Sequence, residues 1–232
     1  MKVLVIDDEK PTLSMFKLFL SAYGYDVHTA EDGETGVEMF RDLLPDIVFT
    51  DIKMPGIDGL EVLARIRKMD PGSQVVIITG HGDMEKAVEA LDLGASDFIN
   101  KPVERQALNA ALERAEARRK LPPDIPFDLT LTPLADRVDI RLKGQLTGVI
   151  KPRFKTAYQD LQSTEPRSVQ ILLDDSFSVD RSGISLLTDT LQRLKQSGFS
   201  IVFKEIPYNF SKVFQMAGID KLAQLEEQSL QD

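Results

Sequence analysis

Lys2-Val3-Leu4-Val5-Ile6 is a short, continuous, β-branched apolar run bounded by charge. Such a run suits a strand buried on both faces. Comparable stretches follow at residues 25–29, 46–51, 74–79 and 97–101. Between them, apolar residues return at helical spacing. Pro11 opens the first such segment, Leu13, Phe16 and Leu20 share its face, and Gly24 ends it. Proline just inside a helix start and glycine just past its end is the expected asymmetry. The second segment begins at Asp32-Gly33, carries Val37, Phe40 and Leu44, and closes at Pro45. The third begins at Asp58, carries Leu60, Leu63, Ile66 and Met69, and closes at Pro71-Gly72. Residues 84–93 carry Ala87, Val88 and Leu91, and a last helix carries Leu108, Ala111, Leu112 and Ala115. Strict strand–helix alternation predicts a doubly wound five-stranded parallel sheet with helices on both faces.

The second half has a different rhythm. Residues 127–131 and 137–142 alternate apolar with polar positions, as half-buried strands do, and predict a hairpin turning through Pro133 to Asp136. Residues 144–148 read as a turn or bulge. A helix is expected over 152–163, a strand over 168–174, a helix over 182–196 ended by Gly198, and a strand over 199–203. A short helix over 209–217 closes at Gly218, and residues 219–225 add a last edge element. The pattern predicts a smaller, mixed-sheet α/β domain. Leu121-Pro122-Pro123-Asp124-Ile125-Pro126 separates the halves, and its three prolines favour a stiff extended link. The expected division is 1–120, a linker at 121–126, and 127–232.

Composition narrows the function classes. The 232 residues contain no cysteine and two histidines, which excludes thiolate sites and disulfides and disfavours zinc. Residues 1–120 hold 15 Lys+Arg against 22 Asp+Glu, a net of −7; residues 121–232 hold 13 against 15, a net of −2. Neither half has the basic face of a nucleic-acid binder, and the second shows no helix-turn-helix pair. Lys151-Pro152-Arg153-Phe154-Lys155, the most basic spot, reads as a solvated helix start. No run approaches membrane-spanning length, so a cytoplasmic, non-membrane protein is the expectation. The second half has no histidine, no cysteine and no paired acids at separate strand ends, so an enzymatic output is not expected.

The chemistry gathers at strand ends. Asp7 and Asp8 end the first strand, Asp51 the third, Thr79 the fourth and Lys101 the fifth. In the flavodoxin-like strand order, the first and third strands flank the point where strand order reverses, and ligands bind there. Three carboxylates together repel, which favours protonation of one or capture of a cation. Hard oxygen donors at an open site suit Mg²⁺. A carboxylate beside a metal, an ammonium and a hydroxyl is suited to accept a phosphoryl group as an acyl phosphate.

Val5-Ile6-Asp7-Asp8, Thr50-Asp51-Ile52-Lys53-Met54-Pro55-Gly56-Ile57-Asp58-Gly59, Ile78-Thr79-Gly80-His81-Gly82 and Asp97-Phe98-Ile99-Asn100-Lys101-Pro102 together resemble the receiver domain of two-component response regulators. The resemblance implies that Asp51 is phosphorylated by a sensor histidine kinase, with the receiver taking part in its own phosphorylation and dephosphorylation. It implies Mg²⁺ held by Asp7, Asp8, Asp51 and the backbone carbonyl of Lys53. Thr79 and Lys101 would bind the phosphate. Thr79 and Phe98 would form the conformational switch, Lys53 and His81 would tune phosphate lifetime, and Lys101-Pro102 would be cis. The apolar stripe of the last helix reads as core, and self-association into a homodimer through the same helix stays open beside that reading.

Gly144-Gln145-Leu146, Asp174 to Ile184 and Gln215-Met216-Ala217-Gly218-Ile219 resemble a STAS domain, the anti-sigma-factor antagonist fold of partner-switching systems. In that family an Asp precedes a phosphorylatable Ser or Thr at a helix start. Asp180 matches the Asp, but Arg181 stands at the acceptor position, with Ser182 next and Ser178 near. The bland reading of Ser182 is a helix cap. The resemblance implies a partner surface of Asp180, Arg181 and Ser182 for an anti-sigma factor or a related switch kinase, with phosphorylation control moved to Asp51. The alternative is a signalling scaffold in which the STAS half drives oligomerisation or complex assembly.

Overall fold

The computed structural model describes residues 1–80, 83–121 and 125–228. The chain divides into two compact units, Met1–Pro123 and Asp124–Asp232. The first holds strands β1 (Lys2–Ile6), β2 (Asp26–Ala30), β3 (Ile47–Asp51), β4 (Gln74–Thr79) and β5 (Asp97–Asn100). All pair in parallel, in the order β2-β1-β3-β4-β5. Helices α1 (Lys10–Ala22), α2 (Gly33–Leu43), α3 (Gly59–Met69), α4 (Met84–Asp92) and α5 (Arg105–Arg119) connect them. Burial explains why the strands carry no alternation. Val3, Leu4, Val5 and Ile6 are all inaccessible, as are Ile47, Val48 and Phe49. On one face Val3, Val5, Ile47 and Phe49 pack with Phe16 and Leu20 of α1 and Leu108 and Leu112 of α5. Burying each such side chain contributes about 1.5–3 kcal/mol.

Two residues of the predicted apolar stripes lie elsewhere. Leu44 is 67% exposed and takes φ +44° at the end of α2. The following Pro45 excludes the helical conformation at position 44, which turns the side chain out of the stripe. Met69, last in α3, is also exposed.

The second unit contains β6 (Asp128–Pro133), β7 (Val138–Lys143), β9 (Ser168–Leu173), β11 (Ser200–Ile206) and β12 (Gln224–Glu227), ordered β12-β11-β9-β7-β6. The β6–β7 hairpin is antiparallel and the other pairs are parallel. Inward-facing Ile140, Ile171 and Phe203 are register partners across the sheet. They are covered by α6 (Lys151–Gln162), α7 (Arg181–Gln196) and α8 (Tyr208–Met216), with Phe203 against Phe214 at 5.2 Å between ring centroids. The region read as a turn is more ordered than expected: Gln145–Leu146 forms a short strand, β8, parallel to β10 (Ser178–Val179). Two residues carry no periodicity, so this pairing left no pattern to read. It places the start of α7 against Leu146, where a Cβ on Gly183 would fall 2.1 Å from the Leu146 carbonyl oxygen.

Candidate functional site

Strand β1 pairs with β3, and the order reverses between them. Asp7 follows β1 directly and Asp51 is the last residue of β3, so both carboxylates emerge at the crevice where such sheets bind ligands. Carboxylate oxygens of Asp7, Asp8 and Asp51 all lie within 4.8 Å of one another. Asp7 and Asp51 are buried, while Asp8 is exposed. Lys101, one residue past β5, enters from the side. Its Nζ lies 3.0 Å from Asp51 Oδ2, 3.1 Å from Asp7 Oδ2 and 3.1 Å from Glu9 Oε2. The Lys101 amide donates to the Thr79 carbonyl at 2.7 Å, and Lys101–Pro102 is cis. The Asp51 carboxylate is fixed further by the Ile52 amide, which donates to Oδ1 at 2.9 Å.

Four carboxylates thus face one ammonium. Burial pushes the carboxyls of Asp7 and Asp51 above the ordinary range, although the Glu9 amide and Lys101 favour charge on the first, and Lys101 and the Ile52 amide on the second. For Lys101 burial acts against the ammonium, but the hydrogen bond to Asp51 and the attraction of Asp51 and Asp7 outweigh it and raise its pKa. The hydrogen bond from Lys101 holds Glu9 below its usual value. Asp7 Oδ2 is buried and accepts no directed hydrogen bond, although Lys101 pairs with it electrostatically. A buried oxygen with spare lone pairs, beside an exposed carboxylate and an excess of negative charge, fits a hard divalent cation.

The remaining predicted residues surround this cluster. Thr79 is inaccessible, and its hydroxyl donates at 3.4 Å to the Gly80 carbonyl. Phe98 is 3% exposed and packs in β5. Lys53 pairs with Asp83 at 2.7 Å. His81 lies outside the described residues. Two contributors carried no assigned role at the level of sequence. Glu9 was legible only as the acid directly after Asp7-Asp8, and Asp83 only as the residue before α4. Gly59 also matters: a Cβ there would fall 2.1 Å from the Asp51 carbonyl oxygen, so only glycine lets α3 start this close to the end of β3. Asp58 caps that helix, accepting from the Leu60 and Glu61 amides.

In the second unit, Asp180 is the residue that caps α7, accepting from the Gly183 amide at 2.7 Å. The expectation that Ser182 is the cap is corrected: it is the second helical residue. Its Oγ donates to Asp180 Oδ1 at 2.7 Å and accepts from the Gly148 amide at 2.7 Å. The carboxylate wins the cap because it precedes the helix in extended conformation, the geometry capping needs. Arg181 follows the cap and Ser178 lies in β10, before Asp180.

An acidic crevice lies at the switch point of a five-stranded parallel sheet, and a mixed-sheet domain with no second such crevice among the described residues follows it. The response regulator receiver domain family matches residues 3–113, and the STAS domain family matches residues 129–230. The chain carries a response regulator receiver domain at its N-terminal side and a STAS domain at its C-terminal side. It is 35% identical over 114 residues to the Regulatory protein AtoC of Escherichia coli (strain K12), covering 49% of this chain and 25% of that protein. It is 34% identical over 144 residues to the Response regulator MprA of Mycobacterium sp. (strain KMS), covering 59% and 62%. The chain therefore spans less than two thirds of either relative. Among solved structures, a response regulator receiver domain protein from Clostridium thermocellum superposes with a TM-score of 0.50 at 40% identity, covering 51% of this chain and 96% of that one. Among the described residues, no helix is long and apolar enough to cross a membrane.

Proposed function

We propose that the chain is a two-component response regulator in which Asp51 accepts a phosphoryl group from a sensor histidine kinase and the STAS domain delivers the output. The observation that carries this reading is the Lys101 ammonium, shared at 3.0 and 3.1 Å between Asp51 and Asp7 at the mouth of the sheet. An oxygen of Asp51 forms the new P–O bond as the P–N bond of the donor phosphohistidine breaks. The imidazole leaves with the bonding pair and takes up a proton from solvent. Hydrolysis later returns the carboxylate and inorganic phosphate. Lys101 stays within reach of the added oxygens and offsets their charge. Thr79 turns its hydroxyl from the Gly80 carbonyl to the phosphoryl group, and Phe98 follows. Lys53 and His81 tune the lifetime of the product. Mg²⁺, held by Asp7, Asp8, Asp51 and the backbone carbonyl of Lys53, would neutralise charge on the transferred oxygens.

On the output side, Asp180, Arg181 and Ser182 form the surface for an anti-sigma factor or a related switch kinase. Both hydrogen bonds of the Ser182 hydroxyl are spent on the turn, and Arg181 offers no hydroxyl, so the covalent signal enters at Asp51 rather than here. An affinity capture with wild type, Asp51→Asn and Asp51→Glu tests the coupling. Differential recovery of an anti-sigma factor or switch kinase supports it. Equal recovery of the same proteins by all three refutes it.

A further inference from the structure

Asp83 occupies the N-cap position of α4, but with φ −97° and ψ 20° its backbone is not in the extended conformation that capping needs, and its side chain makes no capping hydrogen bond. Asp32, Asp58 and Asp180, at the same position of their helices, all cap. The Asp83 carboxylate instead meets Lys53 Nζ at 2.7 Å. Lys53 is 62% exposed, and an ion pair with so wet a partner is worth no more than the cap it replaces. The pair joins the loop after β3 to the loop after β4, and those strands are neighbours, with Asp51 in register with Ile78. It also bears on Thr79. The Asp83 amide donates to the Gly80 carbonyl at 3.2 Å, the same oxygen that receives the Thr79 hydroxyl.

We propose that Asp83 is a positioning residue for the phosphoryl reaction: through its pair with Lys53 and its amide bond to the Gly80 carbonyl it holds the end of β4, where Thr79 sits, in the resting arrangement. This rests on Asp51 being the phosphoacceptor. A phosphoryl group on Asp51, two residues from Lys53, brings more negative charge than the carboxylate it replaces and draws the Lys53 ammonium away from Asp83. The released residue shifts to the extended conformation, and its carboxylate turns back to the first amides of α4 and caps the helix. The Gly80 carbonyl loosens with it, and the Thr79 hydroxyl is freed to reach the phosphoryl oxygens. One charge exchange thereby links the chemistry at Asp51 to the start of α4, with each partner keeping a counterpart in both states.

The full chain, with Mg²⁺ and a limiting small-molecule phosphodonor, provides the test. Asp83→Asn removes the latch and is expected to raise the phosphorylated fraction about twofold to fivefold, the scale of one weak ion pair. In a Lys53→Met background the same substitution is expected to change nothing further. Hydrogen exchange without donor supplies a readout independent of the reaction. Lys53→Met frees Asp83 to cap, so the amides of Glu85 and Lys86 are expected to exchange more slowly than in wild type. Unchanged phosphorylation in Asp83→Asn, an undiminished effect without Lys53, or unchanged exchange in Lys53→Met overturns the latch while leaving Asp51 as acceptor. Failure of the wild type to take up phosphate overturns both.

Discussion

Asp7, Glu9 and Asp51 share the ammonium of Lys101, with Asp8 beside them, and this imbalance sets the behaviour of the resting site. The raised carboxyls of Asp7 and Asp51 have a definite stability consequence. A carboxyl whose folded pKa lies above its unfolded value stabilises the fold when protonated, below the unfolded pKa, and that contribution is lost as pH rises through the folded pKa. At neutral pH both groups therefore work against the fold, chiefly because burial disfavours their charge. Asp51→Asn removes one such charge, so its melting temperature at pH 7 is expected to exceed that of wild type by a few degrees. The difference should shrink as the pH is lowered through the raised pKa, where the wild-type carboxyl becomes neutral. Thermal unfolding from pH 7 to pH 4 in magnesium-free buffer checks this, and a lower melting temperature for Asp51→Asn would contradict it. The five residues at the strand ends were legible from sequence because each closes an apolar run. Glu9 and Asp83 were not, because their roles arise from side-chain direction rather than position. Glu9 sits where a helix cap belongs, yet its carboxylate reaches across to Lys101.

At the scale of elements, the strands and helices of the first domain were readable because burial on both faces leaves unbroken apolar runs. The errors lie where a local steric rule overrides the stripe, as at Leu44 before Pro45, or where an element is too short for any period, as at Gln145–Leu146. Polar ties between elements were invisible to periodicity, and α5 shows how much they matter. Arg114 reaches the Asp97 carboxylate at 2.5 Å, and Asp97 is 1% exposed at the start of β5. Tyr25 Oη meets Glu116 at 2.5 Å, and burial with that carboxylate pushes the phenol pKa upward. Arg105 and Asn109 both donate to Tyr23 Oη. The first of these ties sets α5 against β5, the strand that leads to Lys101, and the others fasten α5 to the turn between α1 and β2. Arg114→Met keeps the apolar stem but withdraws the charge facing buried Asp97. It is expected to destabilise the first domain by about 2–3 kcal/mol. Denaturant unfolding of the full chain measures the change, and a loss below about 0.5 kcal/mol would show that the pair is not structural.

At the scale of the whole molecule, the two domains divide the labour unequally. The receiver holds an acidic crevice with a phosphoryl-ready geometry, whereas the STAS domain has an arginine at the acceptor position and a neighbouring serine engaged in closing its own turn. On the proposed function, the covalent signal enters in the first domain and is read out through the second. The departure at Arg181 was visible in the sequence, but the occupation of Ser182 was not, because Gly148 lies 34 residues away along the chain. Phosphosite mapping of the full chain, incubated with its cognate sensor kinase, ATP and Mg²⁺ and trapped by borohydride reduction, bears directly on this division. The expected result is modification at Asp51 alone, absent from Asp51→Asn. Phosphate on Ser182 or Ser178, or undiminished labelling of Asp51→Asn, would contradict it.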